Sequence, residues 1–295
     1  MSDGAVGVIG TGAMGMGVVR SLRRHGIVTY TRDVRAEAND EARALGALPC
    51  ASPAALAREA TLVLILVVDD RQIDDVLFAD DGAAAALPAG ATVVVCSTVD
   101  PQYVASLGER LAARSLALVD APVSGGPAKA SAGTMTMMVS ATPDARRRCD
   151  AVFARIAGRV FVVGDLPGQA ATFKVVNNLL AAANLAAGAE AIALAQRVGL
   201  DPAAVLDVLS ASSGASWIVS DRMPRALSGD RGVRAATRVL AKDVGLAVAL
   251  AARVGTPAAF ATAAHRAFTD AVAAGFGEDD DSSMLRFMQR EDAPE

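Results

Sequence analysis

The stretch Val6-Gly7-Val8-Ile9-Gly10-Thr11-Gly12-Ala13-Met14-Gly15 decides how the rest of the chain is read. Residues 5–9 form a short apolar run, the pattern of a buried strand. Glycines at 10, 12 and 15 interrupt it, helix formers continue to Arg24, and Gly26 ends that helix. Residues 27–31 then read as a second strand. A strand, a Gly-x-Gly-x-x-Gly turn, a helix and a strand open a doubly wound α/β unit of the Rossmann type.

The physical reason for the glycines is space. They allow a tight turn and the close approach of a pyrophosphate, while the helix start offers free N–H groups and positive potential. The predicted dinucleotide contacts are Gly10, Thr11, Gly12, Ala13, Met14 and Gly15. Asp33 lies eighteen residues beyond Gly15, where an acid accepts hydrogen bonds from the adenosine ribose hydroxyls. Its charge repels a 2′-phosphate, which favours NAD. Arg32 and Arg35 flank it and suit a 2′-phosphate, so NADP stays open. A glycine turn that merely precedes a helix is the plain alternative, and the flanking strands and the spaced acid weigh against it.

Working outward, the alternation of strand and helix continues. Residues 36–45 and 52–60 read as helices, and 62–68 as a buried parallel strand, being continuously apolar. Asp69-Asp70 opens a loop at its carboxyl end, the side on which such sheets bind cofactors. Residues 71–77 read as helix, Asp80-Asp81-Gly82 as a turn, and 92–96 as the next strand. Ser97-Thr98-Val99-Asp100-Pro101 follows it and caps a helix to Arg114, its hydroxyls serving either as caps or at the site. After a strand at 116–119 comes Asp120-Ala121-Pro122-Val123-Ser124-Gly125-Gly126-Pro127. It is rigid and glycine-rich, and its N–H groups can form an anion-binding nest beside Lys129. Strands at 134–139 and 160–163 bracket a helix at 143–157.

Beyond Phe161 no strand signal recurs. A turn at 164–168 leads into about eight turns of helix formers from Gln169 to Arg197, free of proline. Lys174 and Asn178 stand four apart, on one helix face. They are flanked by Phe173, Val175, Val176 and Leu179, so that face does not read as solvated. A snorkelling lysine beside a core asparagine is the structural alternative. Helices are predicted at 202–209, 238–254 and 256–273, with an acidic turn at 279–281. Ser282-Ser283 is read as capping a last short helix, and residues 291–295 as tail. Ser212 to Trp217 and Arg222 are expected to shape one wall of a pocket. The predicted organisation is a doubly wound domain at 1–164 and an all-helical domain at 165–295, joined by the long helix at about 169–197.

Composition narrows the function classes. The 295 residues carry a net charge of −4 without a basic block, which speaks against nucleic acid or an anionic membrane as partner. Three scattered cysteines suit a reducing cytoplasm. Two distant histidines and no Cys/His cluster argue against a metal site.

The chain resembles the β-hydroxyacid dehydrogenases, a family that includes 3-hydroxyisobutyrate dehydrogenases and tartronate semialdehyde reductases. Four spaced motifs carry the likeness: Gly10-x-Gly12-x-x-Gly15 with Met14, Asp120 through Gly126 running on to Gly133, Gly168 through Lys174 with Asn178, and Lys242-Asp243-Val244-Gly245-Leu246-Ala247. Ser97-Thr98 with Pro101 adds a nicotinamide-side element. Two positions depart from the family pattern: Ala170 replaces a glycine, and Val68 stands where many members carry proline.

The resemblance implies an NAD-dependent 3-hydroxy acid dehydrogenase. Lys174 carries the acid/base role, Asn178 helps hold the substrate, and Ser124, Gly125 and Gly126 bind its carboxylate. Val67, Val68, Thr98 and Lys242 lie at the cofactor. Lys129 has a counterpart in some tartronate semialdehyde reductases. A free lysine amine, with a pKa of about 10.4, is a poor base near neutrality, and burial or a second cation would improve it. The resemblance also implies a homodimer or homotetramer. The alternatives are an NADP-dependent reductase of an aldehyde acid or an imine, and a dinucleotide-binding protein without catalysis.

Overall fold

A computed structural model describes residues 4–290 of the chain; the tail expected at 291–295 lies outside them. Two compact units follow one another, one ending at Lys174 and the next beginning at Val175. The first holds nine strands: β1 (Val6–Ile9), β2 (Thr29–Arg32), β3 (Leu48–Pro49), β4 (Leu62–Ile65), β5 (Thr92–Val95), β6 (Ala117–Asp120), β7 (Val123–Ser124), β8 (Met135–Ser140) and β9 (Ala157–Gly164). Its helices are α1 (Ala13–Arg24), α2 (Ala36–Ala44), α3 (Pro53–Ala57), α4 (Asp70–Phe78), α5 (Ala83–Ala86), α6 (Pro101–Ala112), α7 (Gly126–Ala132) and α8 (Pro143–Ile156).

The sheet order is β3-β2-β1-β4-β5-β6-β8-β7, with β9 also paired to β8. All pairings from β3 to β6 are parallel, and β8 runs antiparallel to β6 and β7. The order reverses direction between β1 and β4, the switch point where doubly wound sheets bind dinucleotides. β1, β4 and β5 are buried along their whole length, which accounts for a sequence that is apolar apart from Thr92. Helices cover both faces. Val18, Val19 and Leu22 of α1 and Cys149, Phe153 and Ile156 of α8 pack on one, and Leu77, Leu107 and Leu111 on the other.

Register decides what this unit can do. Ile9 pairs with Arg32 on one side and Ile65 on the other, Ile65 with Val95, and Val95 with Asp120. The five strands therefore end level. The residues that follow them, at 10, 33, 66–68, 96–98 and 121, emerge along one edge of the sheet.

The second unit is helical: α9 (Gln169–Arg197, whose first turns belong to the first unit), α10 (Pro202–Ala211), α11 (Trp217–Leu227), α12 (Thr237–Arg253), α13 (Ala259–Ala271) and α14 (Met284–Met288). α9 is long and apolar enough, by length and hydropathy, to cross a membrane. Here Ala182, Leu185, Ala189 and Ile192 instead make it the core on which Val219, Met223, Val244 and Phe268 pack.

Several local expectations are corrected. β7, α7 and α11 form where no strand or helix was read. α8 stops at Ile156, and Ala157 already belongs to β9. Ser283 does not cap the last helix. Asp280 accepts from the Ser282 N–H instead and starts a short 3₁₀ turn.

Candidate active site

The glycine turn after β1 is shaped by close approaches. A Cβ on Gly15 would lie 1.9 Å from the Gly10 carbonyl oxygen, so only glycine lets α1 pack this near the strand end. A Cβ on Gly12, by contrast, would meet nothing within 4 Å. Gly12 is also the N-cap of α1 and supplies no side-chain acceptor. The helix start thus has an open space before it. Thr11, Gly12, Ala13, Met16, Arg35 and Pro127 are among the residues lining a cavity of ≈ 340 Å³ there. This donor-rich, sterically open cradle fits a pyrophosphate.

Asp33 stands immediately after β2 and is buried. Its Oδ2 accepts from the Thr11 N–H at 2.8 Å, the Thr11 hydroxyl at 3.3 Å and Arg35 Nη2 at 3.2 Å. Its Oδ1 accepts from the Arg35 N–H and Nε, both at 3.0 Å. Burial pushes the carboxyl up, but the bonds and charge of Arg35 and the Thr11 N–H outweigh it and leave it below the ordinary value. Arg32 turns back to its neighbour's backbone, donating to the Asp33 carbonyl at 2.9 Å. Of the two flanking arginines, Arg35 is the one engaged with the carboxylate.

Past β4, the Val68 N–H donates to Gln72 Oε1 at 2.9 Å, and Val67 lies beside Gly10. The Ser97 hydroxyl donates to the Val67 carbonyl at 2.7 Å, so Ser97 ties two strand ends together. It is not a helix cap; Asp100 is, accepting from the Gln102 N–H at 2.8 Å. Thr98 follows on the same edge, half-buried.

Ser124, Gly125 and Gly126 turn the chain from β7 into α7. Gly125 and Gly126 have φ of +124° and +76°, and the Lys129 stem folds against Gly125. On α9, Lys174 is 8% and Asn178 6% exposed, whereas Phe173, Val176 and Leu180 are 53%, 57% and 60% exposed. The first turns of the helix bury this polar pair beside Val175 while leaving three large apolar side chains exposed, a pattern that packing alone does not select.

Within the helical unit, Asn178 Nδ2 donates to Asp243 Oδ2 at 2.6 Å, and Asn178 Oδ1 accepts from Asn177 Nδ2 at 3.0 Å. Lys242 Nζ lies 2.7 Å from Asp243 Oδ1. Arg222, expected at a pocket wall, donates from Nε to the buried Asp281 at 2.7 Å and pairs with Asp221. It is a strut between α11 and the segment after α13.

Two family descriptions match this chain. One is the NAD binding domain of 6-phosphogluconate dehydrogenase, over residues 5–164, and the other is the NAD-binding region of NADP-dependent 3-hydroxyisobutyrate dehydrogenase, over residues 168–288. The chain is 42% identical to the L-threonate dehydrogenase of Cupriavidus necator, covering 96% of this chain and 95% of that protein. The L-threonate dehydrogenase of Pectobacterium atrosepticum is 38% identical, at 100% and 97% coverage. A crystal structure of a 3-hydroxyisobutyrate dehydrogenase from Salmonella typhimurium superposes with a TM-score of 0.91 at 37% identity, covering 97% of this chain and all of that one. The chain belongs to the β-hydroxyacid dehydrogenase family.

This dehydrogenase is accordingly an NAD(P)-dependent oxidoreductase acting on the CH–OH group of a hydroxy acid. Its structure adds residues to which the motifs gave no role. Asn39 brackets the Asp33 backbone, accepting from the Asp33 N–H at 3.2 Å and donating to its carbonyl at 2.9 Å. Asp243 holds Asn178 and Lys242. Asp120, at the level end of β6, is 1% exposed and accepts from the N–H groups of Gly168 at 2.9 Å and Ala171 at 3.0 Å, and from the Ser140 hydroxyl at 3.2 Å. Both aspartates stand inside quoted motifs. The available signal was a charge closing an apolar strand, or one placed among the buried positions of a helix.

Proposed function

We propose that this dehydrogenase oxidises a small polyhydroxy carboxylate of the threonate class with NAD, and that Lys174 is its general acid/base. The observation that carries the assignment is the burial of Lys174 and Asn178 on the first turns of α9, beside Val175, while Phe173, Val176 and Leu180 are exposed. Lysine is among the residues least often found buried, and burial is one factor that moves an amine toward use as a base. The substrate class is supported by the two L-threonate dehydrogenases at 42% and 38% identity. Threonate carries a hydroxyl on every carbon past its carboxylate, so the 3-hydroxy position expected from the sequence is present in it.

The residues divide the work as follows. N–H groups at the start of α1 bind the pyrophosphate, and Asp33 receives the adenosine ribose. What the dinucleotide supplies when bound is a hydride acceptor. Ser124, Gly125 and Gly126 hold the substrate carboxylate, with Lys129 as countercharge. Asn178, its amide fixed by Asp243, orients the reacting hydroxyl. Lys174 Nζ takes the hydroxyl proton as the carbinol hydrogen leaves, and in reduction returns it to the growing alkoxide. Val67, Val68, Thr98 and Lys242 complete the nicotinamide side. Domains divided near residue 164, a cytoplasmic location and a homodimer or homotetramer belong to the same reading. The exposed apolar side chains of α9 support the oligomer, and light scattering reads it.

A second reading, NADP as cofactor and an aldehyde acid as substrate, is favoured by one observation. The Arg35 side chain is 57% exposed beside Asp33, placed to meet a 2′-phosphate. One experiment separates the readings. Purified enzyme is assayed with NAD and with NADP against L-threonate, 3-hydroxyisobutyrate, glycerate and 4-hydroxybutyrate, with the product identified by NMR. Threonate turnover with NAD, abolished in Lys174→Ala while NADH binding is kept, is the expected result. Turnover by Lys174→Ala at the wild-type rate removes the assignment.

A further inference from the structure

We propose that Asp120 is a positioning residue for Lys174: it caps, from the end of β6, the helix whose first turns carry the lysine. The inference rests on the acid/base reading of Lys174 given above. α9 begins at Gln169, and the residue in the N-cap place is Gly168. A Cβ there would lie 2.5 Å from the Pro101 carbonyl, and its φ is +92°, so the place is closed to the Ser, Thr, Asp or Asn that usually accepts from the first free N–H groups. The helix therefore lacks a cap of its own, at a buried site where unpaired N–H groups are costly.

The missing cap is supplied in trans. Asp120 Oδ2 accepts from the N–H groups of Gly168 and Ala171, and the Ser140 hydroxyl, which donates to the same oxygen, accepts from the Ala170 N–H at 3.0 Å. The N–H groups of Gly168, Ala170 and Ala171 are met by one carboxylate and one hydroxyl, from β6 and from β8. Asp120 and Ser140 are themselves a register pair across those antiparallel strands. The carboxylate is thus fixed by the sheet and not by a loop. From Ala171, the last residue it binds, one helical turn leads to Lys174. In the other direction, four residues lead from Asp120 to Ser124. The side chain that anchors the start of the helix bearing the acid/base therefore sits four positions before the segment assigned to the substrate carboxylate. Sub-ångström misplacement of reacting groups costs large factors in rate, so such an anchor acts on turnover more than on binding.

The test uses Asp120→Ala, Asp120→Asn and Ser140→Ala in the full-length enzyme, with L-threonate as substrate probe and rates expressed per folded cofactor-binding site, counted by NADH fluorescence titration. For Asp120→Ala, kcat is expected to fall roughly 30- to 100-fold, with the NADH dissociation constant and KM each within about threefold of wild type. Asp120→Asn, whose amide oxygen can still accept at the same place, recovers most of that loss. Ser140→Ala lowers kcat by roughly 3- to 10-fold. A purely structural role predicts lower stability with unchanged kcat per site, and that result for Asp120→Ala overturns the proposal. If Asp120→Ala does not fold, Ser140→Ala decides: a wild-type kcat overturns it and a reduced kcat at unchanged KM supports it. Lys174→Ala separates the two levels. A fully active Lys174→Ala removes the acid/base reading and this inference with it, whereas an inactive one beside a wild-type Asp120→Ala removes this inference alone.

Discussion

The amide of Asn178 is locked by the buried carboxylate of Asp243, which accepts its Nδ2–H at 2.6 Å from across the helical unit. With Asn177 donating to the other end, the Asn178 amide has one orientation. Lys242, beside Asp243 in sequence and 2.7 Å from its other oxygen, balances the charge. Asp243→Ala therefore leaves a buried amide unheld and removes the carboxylate beside Lys242. The expected cost is about 1–3 kcal/mol in stability and at least a tenfold fall in kcat. Denaturant unfolding and steady-state kinetics check both. Unchanged kcat in a folded Asp243→Ala variant would show that the orientation of Asn178 is irrelevant to turnover.

On the proposed reading, cofactor choice turns on the Asp33–Arg35 pair. A ribose hydroxyl approaching Asp33 competes with Arg35 Nη2 for Oδ2, while a 2′-phosphate would draw the same guanidinium away. Asp33→Ala removes a charged acceptor worth about 1.5–3 kcal/mol, so kcat/KM for NAD should fall roughly 10- to 150-fold while NADP gains relative to it. Arg35→Ala should move the NAD-to-NADP ratio the other way, by about tenfold. Both ratios come from initial rates at limiting cofactor. A ratio unmoved by either substitution would place cofactor choice elsewhere.

Much of this was legible in the sequence, and the rest was hidden for physical reasons. β1, β4 and β5 could be read because a strand buried on both faces must be largely apolar. The glycine turn could be read because its spacing puts glycine at Gly10 and Gly15, where no Cβ fits. α7 was missed because its opening Gly-Gly-Pro looks like a turn, and α11 because Pro224 lies inside it. The roles of Asp120, Ser140 and Asp243 are long-range. Asp120 meets Ala171 across 51 positions and Asp243 meets Asn178 across 65, so no local spacing announces either contact. Lys174 and Asn178 could be paired by helical periodicity, but periodicity does not say which face is buried. In the structure the face that carries them is buried, together with Val175 and Ala182.

Gly12 and Gly15 should separate binding from folding. Gly15→Ala places a methyl 1.9 Å from a backbone oxygen that cannot yield without moving the turn, so a loss of about 2 kcal/mol or more is expected, with dinucleotide binding lost as well. Gly12→Ala puts its methyl into empty space, so the fold should be unaffected. NADH affinity should still drop at least tenfold, because that space is the one assigned to the pyrophosphate. Thermal melts with and without NADH distinguish the two. Undiminished NADH binding by Gly12→Ala would move the pyrophosphate off this turn.

Stability should rise as the pH is lowered from 7.5 to about 5, and Asp120 is one cause. Burial pushes the carboxyls of Asp120 and Asp281 up to about 6, against the hydrogen bonds of Ala171, Gly168 and Ser140 in one case and the charge of Arg222 in the other. Each folded pKa lies above the ordinary value of 3.8, so the folded state binds these protons more tightly than the unfolded chain. Their contribution is complete below that ordinary value and is lost as the pH rises through about 6. Asp33 and Asp280 behave oppositely, since both are held below the ordinary value. The stability they add is present at neutral pH and is lost only as the pH falls through their lowered values. The unfolding midpoint in urea should therefore pass through a maximum on the acid side of neutrality. Asp120→Asn cannot ionise, so its stability should change less between pH 5 and 7.5 than that of the wild type, by about 1.4 kcal/mol. Parallel pH dependences for the two proteins would mean that Asp120 is not ionised at a cost, and that its clamp on α9 is as favourable charged as it is neutral.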